Sequence, residues 1–243
     1  MLMSVIEDAL SAPAYPDLAG KRVLITGLSS RCGVDIARAF AEHRSRLILQ
    51  FSEASKSMQT VAELVAPDAL ETRMYGPVAP REEDAVAFAK TAAKEFGGLD
   101  AVINIVPLVP GDLDPFASME DVERMVARQL ALPFLTSKIA ANRMSMMLTE
   151  GQVLNVATVS GMPQRAKMAF ASVAKAGLSA MTRAQAEEWA NRGIRFNAIA
   201  PQAVPGLGGS GLSSEPDIAS LALYLVSGQG KRLSGCVFEA DMR

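Results

Sequence analysis

Histidine and cysteine are nearly absent from this chain of 243 residues: His43 is the single imidazole, and the two cysteines, Cys32 and Cys236, lie far apart. No group has metal-ligand spacing, and two thiols are too few for a disulfide scaffold, so a zinc site and a stapled fold are excluded. Charge of one sign is lacking as well. The formal net charge is -2 and the pI is near 5.6, with acidic and basic residues interspersed. That leaves no electrostatic footprint for nucleic acid or a membrane surface. Apolar runs fall far short of the roughly 20 residues that cross a bilayer, so the 49% hydrophobic content belongs to a core. The opening stretch has acidic residues and prolines where a signal peptide has a basic end and an unbroken apolar run. A soluble, cytoplasmic protein with no membrane or nucleic-acid partner is expected.

What is present is a repeated alternation of short apolar runs and helical spacing. The length suits one α/β domain with a large core, and no composition shift asks for a second. Residues 1–19 read as an N-terminal extension, with Val5, Ile6, Ala9 and Leu10 on one side of a short helix that Pro13 and Pro16 end. Residues 20–243 then form a single domain. A strand over 21–27 runs into a glycine turn, and Ile36, Ala37 and Phe40 space the buried face of the next helix. Further strands are expected over 47–51 and 99–106, and apolar spacing from Arg81 to Phe96 predicts a helix ended by Gly97 and Gly98. Ser118 with Asp121 is a capping-box start for a helix carrying Val122, Met125, Val126, Gln129 and Leu130 on one face. Met144, Met146 and Met147 are expected as soft packing. Asn104, at a strand end, is expected to bond local backbone.

The stretch around which the chain is organised is 153–178: a strand ending in Thr158 and Ser160, a break at Gly161 and Pro163, and a helix from about Lys167 that carries Lys175. A hydroxyl and an ammonium would meet over one cleft there. This stretch resembles the active-site strand and helix of the short-chain dehydrogenase/reductase family, N-I-S-S-x-x-G followed by Y-x-A-S-K-A-A-L. The counterparts are Asn155 to Gly161 and Ala171 to Leu178, at the family's spacing. Thr26 to Gly33 is similar to the family's T-G-x-x-x-G-x-G, Asp100 to Pro107 to D-x-L-V-N-N-A-G, Gly193 to Pro201 to its sixth strand, and Leu233 to Asp241 to its closing strand. The resemblance implies a Rossmann-like doubly wound α/β sandwich: a central parallel sheet of about seven strands with helices on both faces.

The resemblance also implies a site. Gly27, Ser29, Arg31, Gly33, Asn104 and Lys175 stand at cofactor-binding positions for NAD or NADP, and Thr158, Lys175 and Gln129 at catalytic ones. The departures fall on the chemistry. Ala171 replaces the tyrosine that gives the proton, Thr158 the serine, and Arg31 the middle glycine. Phe51 replaces the acidic residue for the adenosine ribose, or the basic one for NADP, at the end of the second strand, Pro77 the aspartate after the third, and Val106 and Pro107 further motif residues. Residues 206–214 are too short and glycine-rich for a folded lid. Losing a positioned acid forfeits about 10²–10⁴ in rate. The expectation is a catalytically silent or impaired member, with no cofactor bound as one outcome. It would work as a structural or regulatory subunit with itself or an active paralogue, through the helices over 119–147 and 167–190. The alternatives are an NAD(P)-dependent oxidoreductase with altered chemistry and a small-ligand sensor.

Overall fold

Short runs of β-branched and apolar residues become strands where both of their faces can be covered, and in a parallel sheet helices do the covering. The computed structural model describes residues 14–29, 33–52, 56–79, 81–108, 118–159, 164–201 and 214–240. The strands are β1 (Arg22–Leu28), β2 (Arg46–Phe51), β3 (Glu71–Tyr75), β4 (Ala101–Leu108), β5 (Gly151–Val159), β6 (Ile194–Pro201) and β7 (Val237–Ala240). They form one seven-stranded parallel sheet in the order β3-β2-β1-β4-β5-β6-β7. Between them run α1 (Val34–Glu42), α2 (Lys56–Val65), α3 (Glu82–Ala92), α4 (Met119–Met146), α5 (Gln164–Trp189) and α6 (Glu215–Val226). The doubly wound, Rossmann-like expectation is met.

The period-2 alternation of strands sorts the core. Val23, Ile25, Leu47, Leu49, Ile103, Leu154 and Ile199 join the cluster that α1, α2 and α6 cover with Phe40, Val61 and Ile218. Their neighbours Leu24, Ile48, Val102, Val153 and Phe196 face the other way, against Ala92 of α3 and Ala140 and Met144 of α4. Toward the C-terminal ends of the strands, Val106, Ala157 and Ala200 meet Val126 and Leu130 of α4 and Phe170 and Leu178 of α5. Ile36, Ala37 and Phe40 are buried as their spacing predicts.

Polar caps define where helices begin. The capping box of Ser118 and Asp121 is present at α4, and an equivalent one of Ser214 and Asp217 opens α6. The helix expected over 81–96 stops at Ala92 instead, and a 3-10 turn follows over Glu95–Gly97. Phe96 adopts φ 50 there, and the Arg73 guanidinium stacks 5.3 Å from its ring centroid. The methionine expectation holds only in part. Met144 is buried, but Met146 and Met147 are 68% and 47% exposed past the last turn of α4 that faces the core. Within the 1–19 stretch, the helix over 5–10 lies outside the described residues. Leu18 is fully buried, and the Ser45 hydroxyl donates to its carbonyl at 3.0 Å.

Opposite the C-terminal edge, Arg22 ties the start of β1 to Asp100 just before β4. Its Nε and Nη2 donate to Oδ2 and Oδ1 at 2.8 and 2.7 Å, and its backbone N–H to Oδ2 at 2.9 Å. Burial pushes the Asp100 carboxyl up, but the Arg22 hydrogen bonds and charge together outweigh it and hold the carboxyl below its ordinary value. A folded value below the unfolded one of about 3.9 makes this contribution fully present above that pH and lost as the pH falls through the folded value. Urea midpoints measured from neutral pH into acid are therefore expected to fall less steeply for Asp100→Asn than for the wild type. Parallel acid limbs would refute the assignment.

Candidate functional site

In an open parallel sheet the crevice opens at the C-terminal edge, where strand order reverses. Here that point lies between β1 and β4. A cleft of about 290 Å³ opens there, lined by Thr26 and Gly27 of β1, Gln50 and Ser52 at the end of β2, Ile105 to Pro107 of β4, and Gln129, Pro133 and Thr136 of α4. Val78, Ala85 and Phe88 close the far wall. None of these groups is a carboxylate, imidazole, thiol or phenol. The described chain holds no cluster of three or more His, Cys, Asp or Glu that would bind a metal.

The two glycines of the turn are required by the fold itself. A Cβ on Gly27 would sit 2.1 Å from the Ile105 carbonyl oxygen, and one on Gly33 would sit 2.2 Å from Ile105 Cδ1. Both have positive φ, 75 and 90. At Gly27 the obstacle is β4 backbone, so only glycine fits with or without a nucleotide; at Gly33 it is the end of the Ile105 side chain, and the left-handed backbone is what favours glycine. The Gly27 N–H donates to Oε1 of Gln50 at 2.9 Å. Gln50 is 8% exposed and uses its Nε2 on the Phe51 carbonyl at 2.5 Å. Phe51 itself is 1% exposed and belongs to the core. Arg31 lies outside the described residues, as do Cys32, Glu53, Ser160, Gly161, Pro163, Gln202 and residues 109–117 and 206–213. Ser29 follows β1 and is half-buried.

Asn104 is not bonded to local backbone as expected. It lies fully buried beneath the cleft, in register with Thr26 of β1 on one side and Asn155 of β5 on the other. Its Oδ1 accepts from Thr26 Oγ1 at 2.9 Å, and its Nδ2 donates to Asn155 Oδ1 at 2.8 Å and Ser137 Oγ at 2.9 Å. Three strands and α4 are thereby joined by one polar row. Gln129 does line the cleft. One turn later comes Pro133, which has no N–H to return to the Gln129 carbonyl.

The 153–178 stretch folds as strand and helix, with α5 beginning at Gln164 rather than near Lys167. Thr158 pairs in register with Pro107 and is half-buried. Neither Thr158 nor Lys175 lines the cleft. The Lys175 ammonium donates to Glu239 Oε1 of β7 in a close ion pair, with both side chains about two-fifths exposed (40% and 43%). Ala171 is fully buried. The tyrosines lie elsewhere: Tyr15 stacks on His43, Tyr224 packs beside the α1 core, and Tyr75 donates to Glu95, a bond that is the main cause of its phenol being pushed up to about 12.

One functional group escaped the sequence reading entirely. Glu215, the first residue of α6, reaches the N-terminus of α1: its Oε1 accepts from the Gly33 N–H at 2.5 Å and the Asp35 N–H at 3.2 Å. Burial pushes its carboxyl up, and the negative charge of Asp35 adds to this. The N–H groups of Gly33, Asp35 and Val34 pull the other way, and the balance stays above the ordinary value. The helix start after the glycine turn is where a dinucleotide places its pyrophosphate. In this conformation a carboxylate stands on those donors, and the residues present do not fit that group.

Comparison with known proteins agrees with the topology. The sequence pattern of the family described as short chain dehydrogenase matches residues 21–206. Glucose 1-dehydrogenase 2 of Bacillus subtilis is 29% identical over 192 residues, covering 77% of this chain and 73% of that protein. The 2,5-dichloro-2,5-cyclohexadiene-1,4-diol dehydrogenase LinX of Sphingobium indicum is 30% identical over 244 residues, covering 92% and 96%. Among solved structures, an NADH-dependent reductase complexed with NAD superposes with a TM-score of 0.74 at 17% identity, covering 93% of this chain and 97% of that one. With its seven parallel strands, its glycine turn and this match over most of its length, the chain belongs to the short-chain dehydrogenase/reductase family.

Proposed function

We propose that this chain is a catalytically silent or strongly impaired short-chain dehydrogenase/reductase that serves as a structural or regulatory subunit of an oligomer. The observation that carries the reading is Ala171. It stands at the position of the family's proton-donating tyrosine, is fully buried, and has no proton to give. Lys175, which would lower a tyrosine's pKa and hold ribose, is engaged by Glu239. Thr158, Gln129, Gly27, Ser29, Gly33 and Asn104 then persist as parts of the scaffold. The nicotinamide cofactor used across the family, NAD or NADP, is the group whose binding this chain has lost or weakened. Family members generally form oligomers. The faces offered are those of the 119–147 and 167–190 helices, toward a second copy or an active paralogue. Residues 20–243 act as one domain with 1–19 as its extension. No helix among the described residues is long and apolar enough to cross a membrane, and a cytoplasmic setting fits the composition.

Calorimetric titration with NAD, NADH, NADP and NADPH, followed by turnover assays on alcohols and carbonyl compounds, tests the catalytic half of this reading. No turnover is expected. Nucleotide-dependent oxidation or reduction by the purified chain would overturn it in favour of an oxidoreductase with altered residues. Sedimentation tests the subunit half. A monomer at every concentration, alone and mixed with a dehydrogenase encoded beside it, would remove that half.

A further inference from the structure

We infer that Glu215 is a built-in occupant of the pyrophosphate seat, a carboxylate that closes the N-terminus of α1 to a nucleotide unless Glu215 moves away. The inference rests on the reading of this chain as a family member with an impaired nucleotide cleft, and it names the residue that governs that cleft.

The N-cap of helix α1 is Gly33, whose backbone is left-handed with φ 90 and which supplies no side-chain cap. The first N–H groups of a helix point outward without intrahelical partners, and the aligned peptide dipoles favour an anion there. In this chain the anion comes from 182 residues away in sequence, as Oε1 of Glu215 receives the Gly33 N–H at 2.5 Å and the Asp35 N–H at 3.2 Å. A donor spent on a carboxylate is withdrawn from a phosphate. Two anions competing for one partly buried helix end also repel each other.

The position of that carboxylate is set by packing. Glu215 opens α6, whose first turn is held by the capping box of Ser214 and Asp217. One turn on, Ile218, Ala219 and Ala222 of α6 share a core with Ile36, Ala37 and Phe40 of α1. Docking of α6 on α1 therefore delivers the side chain to the helix end. The neighbouring turn donor is satisfied internally too, since the Gly27 N–H is taken by the buried amide of Gln50. The chain thus uses its own side chains on the donors at the helix start and on the Gly27 N–H of the turn before it.

The test compares ADP affinity, by calorimetry, in the wild type and in Glu215→Ala, with NADH as a second probe and thermal melts in parallel. Removing the carboxylate is expected to tighten ADP binding by about 2- to 30-fold, the scale of a charge at a helix N-terminus. Glu215→Gln keeps the acceptor, drops the charge and preserves the contact with α1. It is expected to bind ADP more tightly than the wild type but less tightly than the alanine variant. Should Glu215→Ala fail to fold, the glutamine variant decides alone. An ADP affinity unchanged by either substitution, whether measurable in all the proteins or absent from all, overturns the inference. Turnover by the wild type would overturn the silent-subunit reading and leave this ratio untouched, so the two can fail separately.

Discussion

Replacing Asn104 by leucine is expected to lower the unfolding free energy by about 3 kcal/mol, read as a shift of the urea midpoint with unchanged slope. Asn104 is fully buried and bridges Thr26, Asn155 and Ser137 at 2.8 to 2.9 Å. Leucine matches its length and removes every one of these bonds. Asn155 Oδ1 keeps a weaker bond from Ser137 Oγ at 3.3 Å, whereas Thr26 Oγ1 loses the acceptor it donates to. A buried polar group left without its partner costs about 1–3 kcal/mol, and the lost bonds add to that. Against a total stability of about 5–15 kcal/mol for a domain, this is a large fraction. A double-mutant cycle of Asn104→Ala with Asn155→Ala should give a coupling of about 1 kcal/mol or more. Additive losses would mean that the row is a set of independent residues and not one network.

The second large effect is expected at Gly27. Alanine there must adopt φ near 75 and place its Cβ 2.1 Å from the Ile105 carbonyl oxygen. The left-handed backbone alone costs about 1–2 kcal/mol. The clash is with backbone, so no side chain can swing aside. β1 and β4 are paired through Ile25 with Ile103 and Thr26 with Asn104, and separating them at the turn would strain that ladder. A loss of more than about 3 kcal/mol is expected, seen as a lowered melting temperature. Gly76→Ala is the control, because its Cβ meets nothing within 4 Å and its effect should stay within about 0.5 kcal/mol. If the two variants melt alike, the close approach of β4 is not what demands glycine. The result bears on function as well, for it separates the glycine turn as architecture from the glycine turn as a nucleotide seat.

Local signals in the chain carried much of the fold. Alternating and β-branched runs such as 22–28 and 153–159 make strands wherever they fall in a buried sheet. The helix face of Ile36, Ala37 and Phe40, and the cap of Ser118 with Asp121, depend only on residues within a turn or two. The Ser214 and Asp217 box was equally readable and went unread. The early end of α3 was not readable from apolar spacing, which continues to Phe96 although the helix stops at Ala92. The same holds for Met146 and Met147. Their type suggests packing, but their position beyond the core-facing turns of α4 leaves them exposed.

The site divides in the same way. That Ala171 and Arg31 stand at positions where the resemblance implies a tyrosine and a glycine is a matter of identity and spacing, legible in the chain alone. Where the remaining groups are spent is not. Lys175 and Glu239 are brought together by β7 lying alongside β6, and Asn104 meets Thr26 and Asn155 only once three strands are in register. Glu215 reaches α1 only because one helix packs on the other at the far end of the chain. Residue types and their periods determined which elements form and which residue types stand at each motif position, since those depend on neighbours in sequence. The tertiary structure alone decided what now occupies the helix N-terminus, because a hydrogen bond at 2.5 Å between Gly33 and Glu215 depends on helix docking that no local pattern encodes.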